Sequence, residues 1–150
     1  MSRIALDTNL LLLYVFGVAT GGPRGKRLDR YRREDFNLLK TVVSNYDNIL
    51  STPNVWTEVS NIWDFGVGDR WRRDVPAVMS RLISKHVEIA IPSKEVVDDP
   101  DFGRLGLADC VWLAVLDADT LLLTDDLALH AIALSRGLRT TNFTHLRNFD

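Results

Sequence analysis

Four carboxylates stand where a folded chain ordinarily has little use for charge. Asp7 ends the apolar run Ile4-Ala5-Leu6 and is followed by Thr8, Asn9 and a second apolar stretch, Leu10 to Phe16. Glu58 shares a helical face with Val55, Ile62 and Phe65 by three-and-four spacing, an apolar seam in which an unpaired acid costs free energy. Asp109 is the only charge between Leu105 and Leu116. Asp126, preceded by Asp125, ends the run Thr120-Leu121-Leu122-Leu123-Thr124. Each has a plain structural explanation. Asp7, and one of Asp125 and Asp126, can cap the helix that follows it. Asp109 lies in a first helical turn, where the helix dipole favours an acid, and Glu58 can sit at the edge of its seam and reach water. Gathered in one place, the same acids form a set of hard oxygen ligands suited to Mg²⁺ or Mn²⁺.

The elements that must gather them alternate. Ile4, Ala5 and Leu6 lack polar alternation, as a strand covered on both faces does, and open α/β sheets place ligands at the carboxyl ends of such strands. A helix starts near Thr8, and the Gly-rich stretch from Gly17 to Asp29 is expected to break it. Helical spacing returns over Arg30 to Ser44, Ile49-Leu50 is a short strand, and Thr52-Pro53 opens a helix that runs to about Phe65 and stops near Gly66. Asp69 to Lys85 reads as another helix, with Pro76 at a break or restart. Val87 to Ile91 is a strand ended by Pro92, and Ser93 to Val97 is one helical turn before the acidic loop Asp98 to Asp101. Leu107 to Leu116 is a helix, Thr120 to Thr124 a buried strand, Leu127 to Arg136 a helix closed by Gly137, and Leu138 to Thr141 a last strand. This alternation implies a three-layer α/β/α fold around a mainly parallel sheet. Asp7 and the Asp125-Asp126 pair then share a cleft if their strands are neighbours at the switch point of the sheet.

Composition narrows the function classes. With 150 residues the chain fits one domain, 1–150, and 46% hydrophobic residues are enough for a core and exclude a disordered chain. Cys110 is the only cysteine, which excludes a disulfide framework and a Cys-based zinc site and makes a reducing cytoplasm the natural compartment. Leu10 to Phe16 is too short to span a bilayer, and Asp7 and Asn9 are misplaced for a signal peptide, so no membrane partner is expected. The net charge of −2 hides a basic excess in the first half and an acidic excess in the second, compatible with a polyanion contact on one side and a cation site on the other.

The basic residues fall in two groups. Arg24, Lys26, Arg27, Arg30, Arg32 and Arg33 surround Tyr31, and Arg70, Arg72 and Arg73 surround Trp71. Interleaved cations and aromatics suit single-stranded RNA, whose bases are free to stack. The competing reading is a solvated face packed through Tyr31 and Trp71. His86, His130 and His145 show no metal-ligand spacing, Cys110 reads as core, and Gly21 to Gly25 lacks the flanking strand and helix of a phosphate-cradling loop.

Four segments, Leu6-Asp7-Thr8-Asn9, Thr52-Pro53-Asn54-Val55-Trp56-Thr57-Glu58, Leu107-Ala108-Asp109 and Leu123-Thr124-Asp125-Asp126, resemble in order and spacing the PIN-domain nucleases, a family that includes the VapC toxins of bacterial toxin-antitoxin pairs. The resemblance runs from Ile4 to about Phe143. It implies a five-stranded sheet of order 3-2-1-4-5 and a metal-dependent endoribonuclease site. Asp7, Glu58, Asp109 and Asp126 would be the acids holding Mg²⁺ or Mn²⁺, with Thr8, Asn9 and Thr124 as polar support. On this reading Asp7 and Asp109 are the principal ligands, Asp126 is a ligand or orients water, and Glu58 holds water or a second ion. The family's threonine, followed two residues later by an acid, matches Thr124 and Asp126 and leaves Asp125 as the alternative. RNA affinity then falls to Arg24, Lys26, Arg27, Arg30, Arg33, Arg70 and Arg72, and the partners extend from single-stranded RNA to an antitoxin protein and a second copy of the chain. The long Gly/Arg loop after the first helix departs from the family pattern. A catalytically degenerate PIN-fold module for RNA or protein binding is the alternative, and the presence of all four acids favours the enzyme. A phosphoacceptor receiver domain would need an aspartate after the third strand and a lysine near a later strand end, and neither is evident.

Overall fold

The computed structural model describes residues 2–62 and 69–147. Five strands, β1 (Arg3–Leu6), β2 (Asn48–Ser51), β3 (Val87–Glu88), β4 (Thr120–Thr124) and β5 (Thr140–Asn142), form one parallel sheet in the order β3-β2-β1-β4-β5. Among the described residues seven helices flank it: α1 (Thr8–Thr20), α2 (Arg33–Val43), α3 (Pro53–Ile62), α4 (Asp74–Lys85), α5 (Phe102–Leu105), α6 (Leu107–Val115) and α7 (Leu127–Ser135). The chain steps outward one way from β1 through β2 to β3 and the other way from β4 to β5. Right-handed crossovers therefore put the helices of the two halves on opposite faces, which gives three layers. In the first half α1 packs against α2, α3 and α4. Ile4, Ala5 and Leu6 of β1, and Leu122 and Leu123 of β4, are almost fully buried, as strands covered on both sides must be.

Several boundaries differ from those the sequence predicts, each for a local reason. Helix α1 does not break at Gly17. It passes through it, because Gly17 is where Phe36 of α2 comes closest: a Cβ there would lie 1.9 Å from the Phe36 ring. The helix ends instead at Gly21, whose φ of 89° supplies the left-handed cap. Helix α2 starts at Arg33 rather than Arg30. Phe65 and Gly66, the expected end of α3, lie outside the described residues. Asp69 to Lys85 is a 3-10 turn (Asp69–Trp71) followed by α4, and Pro76 sits in the first turn of α4, where its missing N–H costs nothing. β3 is shorter than Val87 to Ile91. It is an edge strand paired only with β2, which turns into α3 after Ser51. Leu138 closes the turn after α7 through its N–H to Ala133, so β5 begins later, at Thr140. No helix among the described residues is long and apolar enough to cross a membrane.

Candidate functional site

β1 and β4 are the two neighbours from which the chain departs in opposite directions, and their carboxyl ends define the switch point. Leu6 pairs with Leu123, and the Asp7 N–H reaches the Leu123 carbonyl at 3.3 Å, so Asp7 stands beside the end of β4. Asp7 is 6% exposed. Its Oδ1 accepts the Leu10 N–H at 3.0 Å and caps α1, while Oδ2 accepts the Thr124 hydroxyl and the Asp125 N–H. Burial pushes this carboxyl up to about 6, against the pull of those hydrogen bonds and with help from the charge of Asp125.

A cavity of about 150 Å³ opens over Asp7 and is lined by Thr8, Asn9, Arg27, Glu58, Asp109 and Asp126 as well. The four acids thus come together from the end of β1, the middle of α3, the first turn of α6 and the start of α7. Asp109 is half-buried and has no hydrogen-bond or ion-pair partner among the described residues. Burial, and then the charges of Asp126, Asp7 and Glu58, push it up to about 7. Asp126 is exposed, and its Oδ1 caps α7 by accepting the Leu129 N–H at 3.1 Å, while its own N–H donates to the Thr124 hydroxyl. Capping and cavity lining are therefore compatible at both Asp7 and Asp126, because each carboxylate has more acceptor positions than its cap uses.

Glu58 takes the second of the two positions that the sequence leaves open, the edge of the seam. It is exposed, not buried in the seam, and its Oε1 accepts the Thr8 hydroxyl. Val55 is buried and Ile62 only half so, so Glu58 rides the edge of the apolar face and leans over the cavity. Asp125 faces another way altogether. Its side chain is 3% exposed and accepts both the Tyr31 hydroxyl and Arg30 Nη2, the latter at 2.9 Å. Tyr31 in turn packs on Phe143 and carries the Arg30 and Arg147 guanidinium groups over its ring.

The basic residues divide. Arg30 is held in that internal contact. Arg27 is exposed at the cavity mouth, where its Nε donates to Asn9 Oδ1 at 3.0 Å and no carboxylate pairs with it among the described residues. Arg24 and Arg70, far apart in sequence, both lie over the ring of Trp71, at 5.7 and 4.7 Å, so the two basic runs form one surface. Lys26, Arg33 and Arg72 are exposed. The Asp35 and Arg147 pair leaves no local signal in the sequence, because the two residues are 112 positions apart.

Hard carboxylate oxygens facing a shared cavity, two of them with raised proton affinity, fit Mg²⁺ or Mn²⁺ in kind. Among the described residues no three acidic, His or Cys side chains stand close enough to hold an ion as placed. The chain matches no protein-family model and no curated protein.

Proposed function

We propose that this chain is a PIN-domain endoribonuclease that hydrolyses RNA phosphodiester bonds with Mg²⁺ or Mn²⁺. The observation that carries the reading is the meeting of Asp7, Glu58, Asp109 and Asp126, from four separate elements, at the switch point of the sheet. Buried or half-buried acids with little structural reward cost stability, and the fold keeps Asp109 there without a partner among the described residues. Asp7 and Asp109 would hold the ion, Asp126 would complete the set, and Glu58 would orient water. A divalent ion bound there supplies charge neutralisation on the phosphoryl oxygens and assistance to the leaving oxygen. The Thr124 hydroxyl and the Leu10 N–H keep the Asp7 carboxylate turned toward the cavity. Arg27, whose Nε donates to Asn9, would bind a phosphate oxygen at the cavity mouth. The substrate would be single-stranded RNA, and an antitoxin protein and a second copy of the chain would be its protein partners.

The second reading is a non-catalytic RNA-binding or protein-interaction module of the same fold. The Arg27 guanidinium at the acids' cavity favours it, since a tethered cation offsets part of their charge without an ion. Incubating the full chain with varied RNAs in Mg²⁺ or Mn²⁺, against excess chelator, separates the two. Internal fragments that need the ion support the nuclease, and binding without cleavage supports the module.

A further inference from the structure

Among the described residues, two further openings meet the acid cavity at Glu58. On one side a cavity of about 250 Å³ continues past Thr8 and Arg27 to Asn61 and Ile62. On the other, a cleft of about 460 Å³ lies among Asn54 and Thr57 of α3, Ile91 and Ser93 after β3, and Leu107 and Ala108 of α6, again with Glu58 as a wall. We propose that this larger cleft is a nucleoside subsite, which reads the base on one flank of the scissile phosphate. The proposal rests on the ribonuclease reading for its substrate.

The charge of the lining selects what it takes. None of the described lining residues is cationic, and Glu58 repels a phosphate, so an uncharged base and sugar suit the cleft better than backbone anions. Ile91 and Leu107 give apolar surface for the face of a base. The Asn54 amide and the Ser93 hydroxyl have no hydrogen-bond partner among the described residues and are free to meet its edge. An Asn amide offers both donor and acceptor, the combination that base edges present in unpaired RNA. The volume lies within the range of ordinary small-ligand pockets.

Position ties the cleft to the acids. Asn54 and Glu58 are four residues apart on α3 and share a face, and Ala108 directly precedes Asp109 on α6. The same two helices therefore fix both the base contacts and two of the acids. On the other side of Glu58, Arg27 lines both the acid cavity and the smaller one, and Arg24 of the same loop meets Arg70 over Trp71, in the 3-10 turn Asp69–Trp71 that precedes α4. The groove is thus polarised: base recognition belongs to one flank of the cut and backbone charge to the other.

The test uses the full chain and its Asn54→Ala variant, with cut sites sequenced from a randomised RNA pool, Mn²⁺ affinity measured alongside, and amide NMR spectra recorded during titration with the four nucleoside monophosphates. A base preference confined to one flank, reduced about tenfold by Asn54→Ala as removal of a base-edge hydrogen bond would do, with Mn²⁺ affinity unchanged, is the expected result. At least one nucleotide should shift the amides of Asn54, Ser93 and Leu107 in the unaltered chain. Cutting with no preference, or with a preference that Asn54→Ala leaves intact, overturns the subsite. Nucleotide-induced shifts at those amides without any RNA cleavage would keep the nucleoside site and remove the nuclease reading, whereas no shifts and no cleavage would remove both.

Discussion

Asp125 and Asp126 are adjacent in the chain and face different sides of the end of β4. The Asp125 carboxylate is sealed beneath Tyr31 and Arg30, with 3% of its side chain exposed, while Asp126 lines the cavity of Asp7, Glu58 and Asp109. Asp126→Asn should therefore weaken Mn²⁺ binding by about tenfold or more, as removal of a carboxylate in or next to the coordination set does. Asp125→Asn should leave Mn²⁺ affinity nearly unchanged and destabilise the fold by about 1–3 kcal/mol, because it removes a charge-assisted bond to Arg30. Calorimetric titration of both variants decides between them, and weakened binding in the Asp125 variant alone would contradict the assignment.

With these acids raised, stability and the proposed ion binding should depend on pH in opposite senses. Asp7 at about 6 and Asp109 at about 7 hold protons that the unfolded chain, near 3.8, has already released. Between those values the native state binds more protons, so these groups make the ion-free protein lose stability as pH rises from about 4 to about 7. An ion held at the proposed site would compete with the same protons, so Mn²⁺ affinity should rise over that interval. Asp109→Asn should stabilise the ion-free fold by about 1–2 kcal/mol at about pH 8, allowing for partial solvent screening, and by less at about pH 5. Urea unfolding at the two pH values measures it, and a variant less stable than the parent at the higher pH would show that Asp109 is not held at a cost.

A second pair ties the end of the chain to the basic loop. Arg147 bonds both Asp35 oxygens at 2.9 Å and the Arg30 carbonyl at 2.7 Å, with the two charged side chains 10% and 3% exposed. Arg147→Ala should cost about 3 kcal/mol, because it leaves a buried carboxylate unpaired. Burial alone would raise the Asp35 pKa, but the Arg147 hydrogen bonds, the Arg32 N–H and the nearby guanidinium charges outweigh it and hold the carboxyl below its ordinary value. A depressed native pKa adds stability above the unfolded pKa and loses it as pH falls through the folded one, so the difference between parent and variant should shrink in acid. A difference that grows on acidification would contradict the pairing.

Much of the frame is legible in the sequence, and the failures have physical causes. β1 and β4 are readable because strands buried on both faces carry unbroken apolar runs, and each ends on an acid. The helical period puts Glu58 on the apolar face of α3, but it cannot tell the middle of that face from its edge, where the structure has it. Alternation along β4 favours Asp126 over Asp125 only if the strand stays extended into the turn. Gly17 reads as a breaker because glycine is costly inside helices, whereas its role is to admit Phe36. The gathering of Arg24 and Arg70 at Trp71, and the Asp35–Arg147 pair, are tertiary contacts with no local pattern to announce them.

That gathering makes a prediction about RNA affinity. Replacing Arg24 and Arg70 together with Gln should flatten the log–log salt dependence of single-stranded RNA binding by about 1.4, roughly 0.7 for each phosphate that is no longer neutralised. Arg30→Gln should leave the slope unchanged and lower the melting temperature, since Arg30 is engaged with Asp125 and Tyr31. Fluorescence anisotropy over a salt series provides the slopes. An unaltered slope in the double variant would return the Trp71 surface to a purely structural role.

The proposed metal-dependent cleavage of RNA by the acids at the switch point is tested by comparing the unaltered chain with Asp7→Asn on single-stranded RNA in Mn²⁺. Asn can still cap α1 by accepting the Leu10 N–H, so circular dichroism and thermal melting should show the variant folded. Internal RNA fragments from the unaltered chain, abolished by excess chelator and absent with Asp7→Asn, are the predicted result. Undiminished cleavage by Asp7→Asn, or full activity of the unaltered chain in chelator, would contradict it.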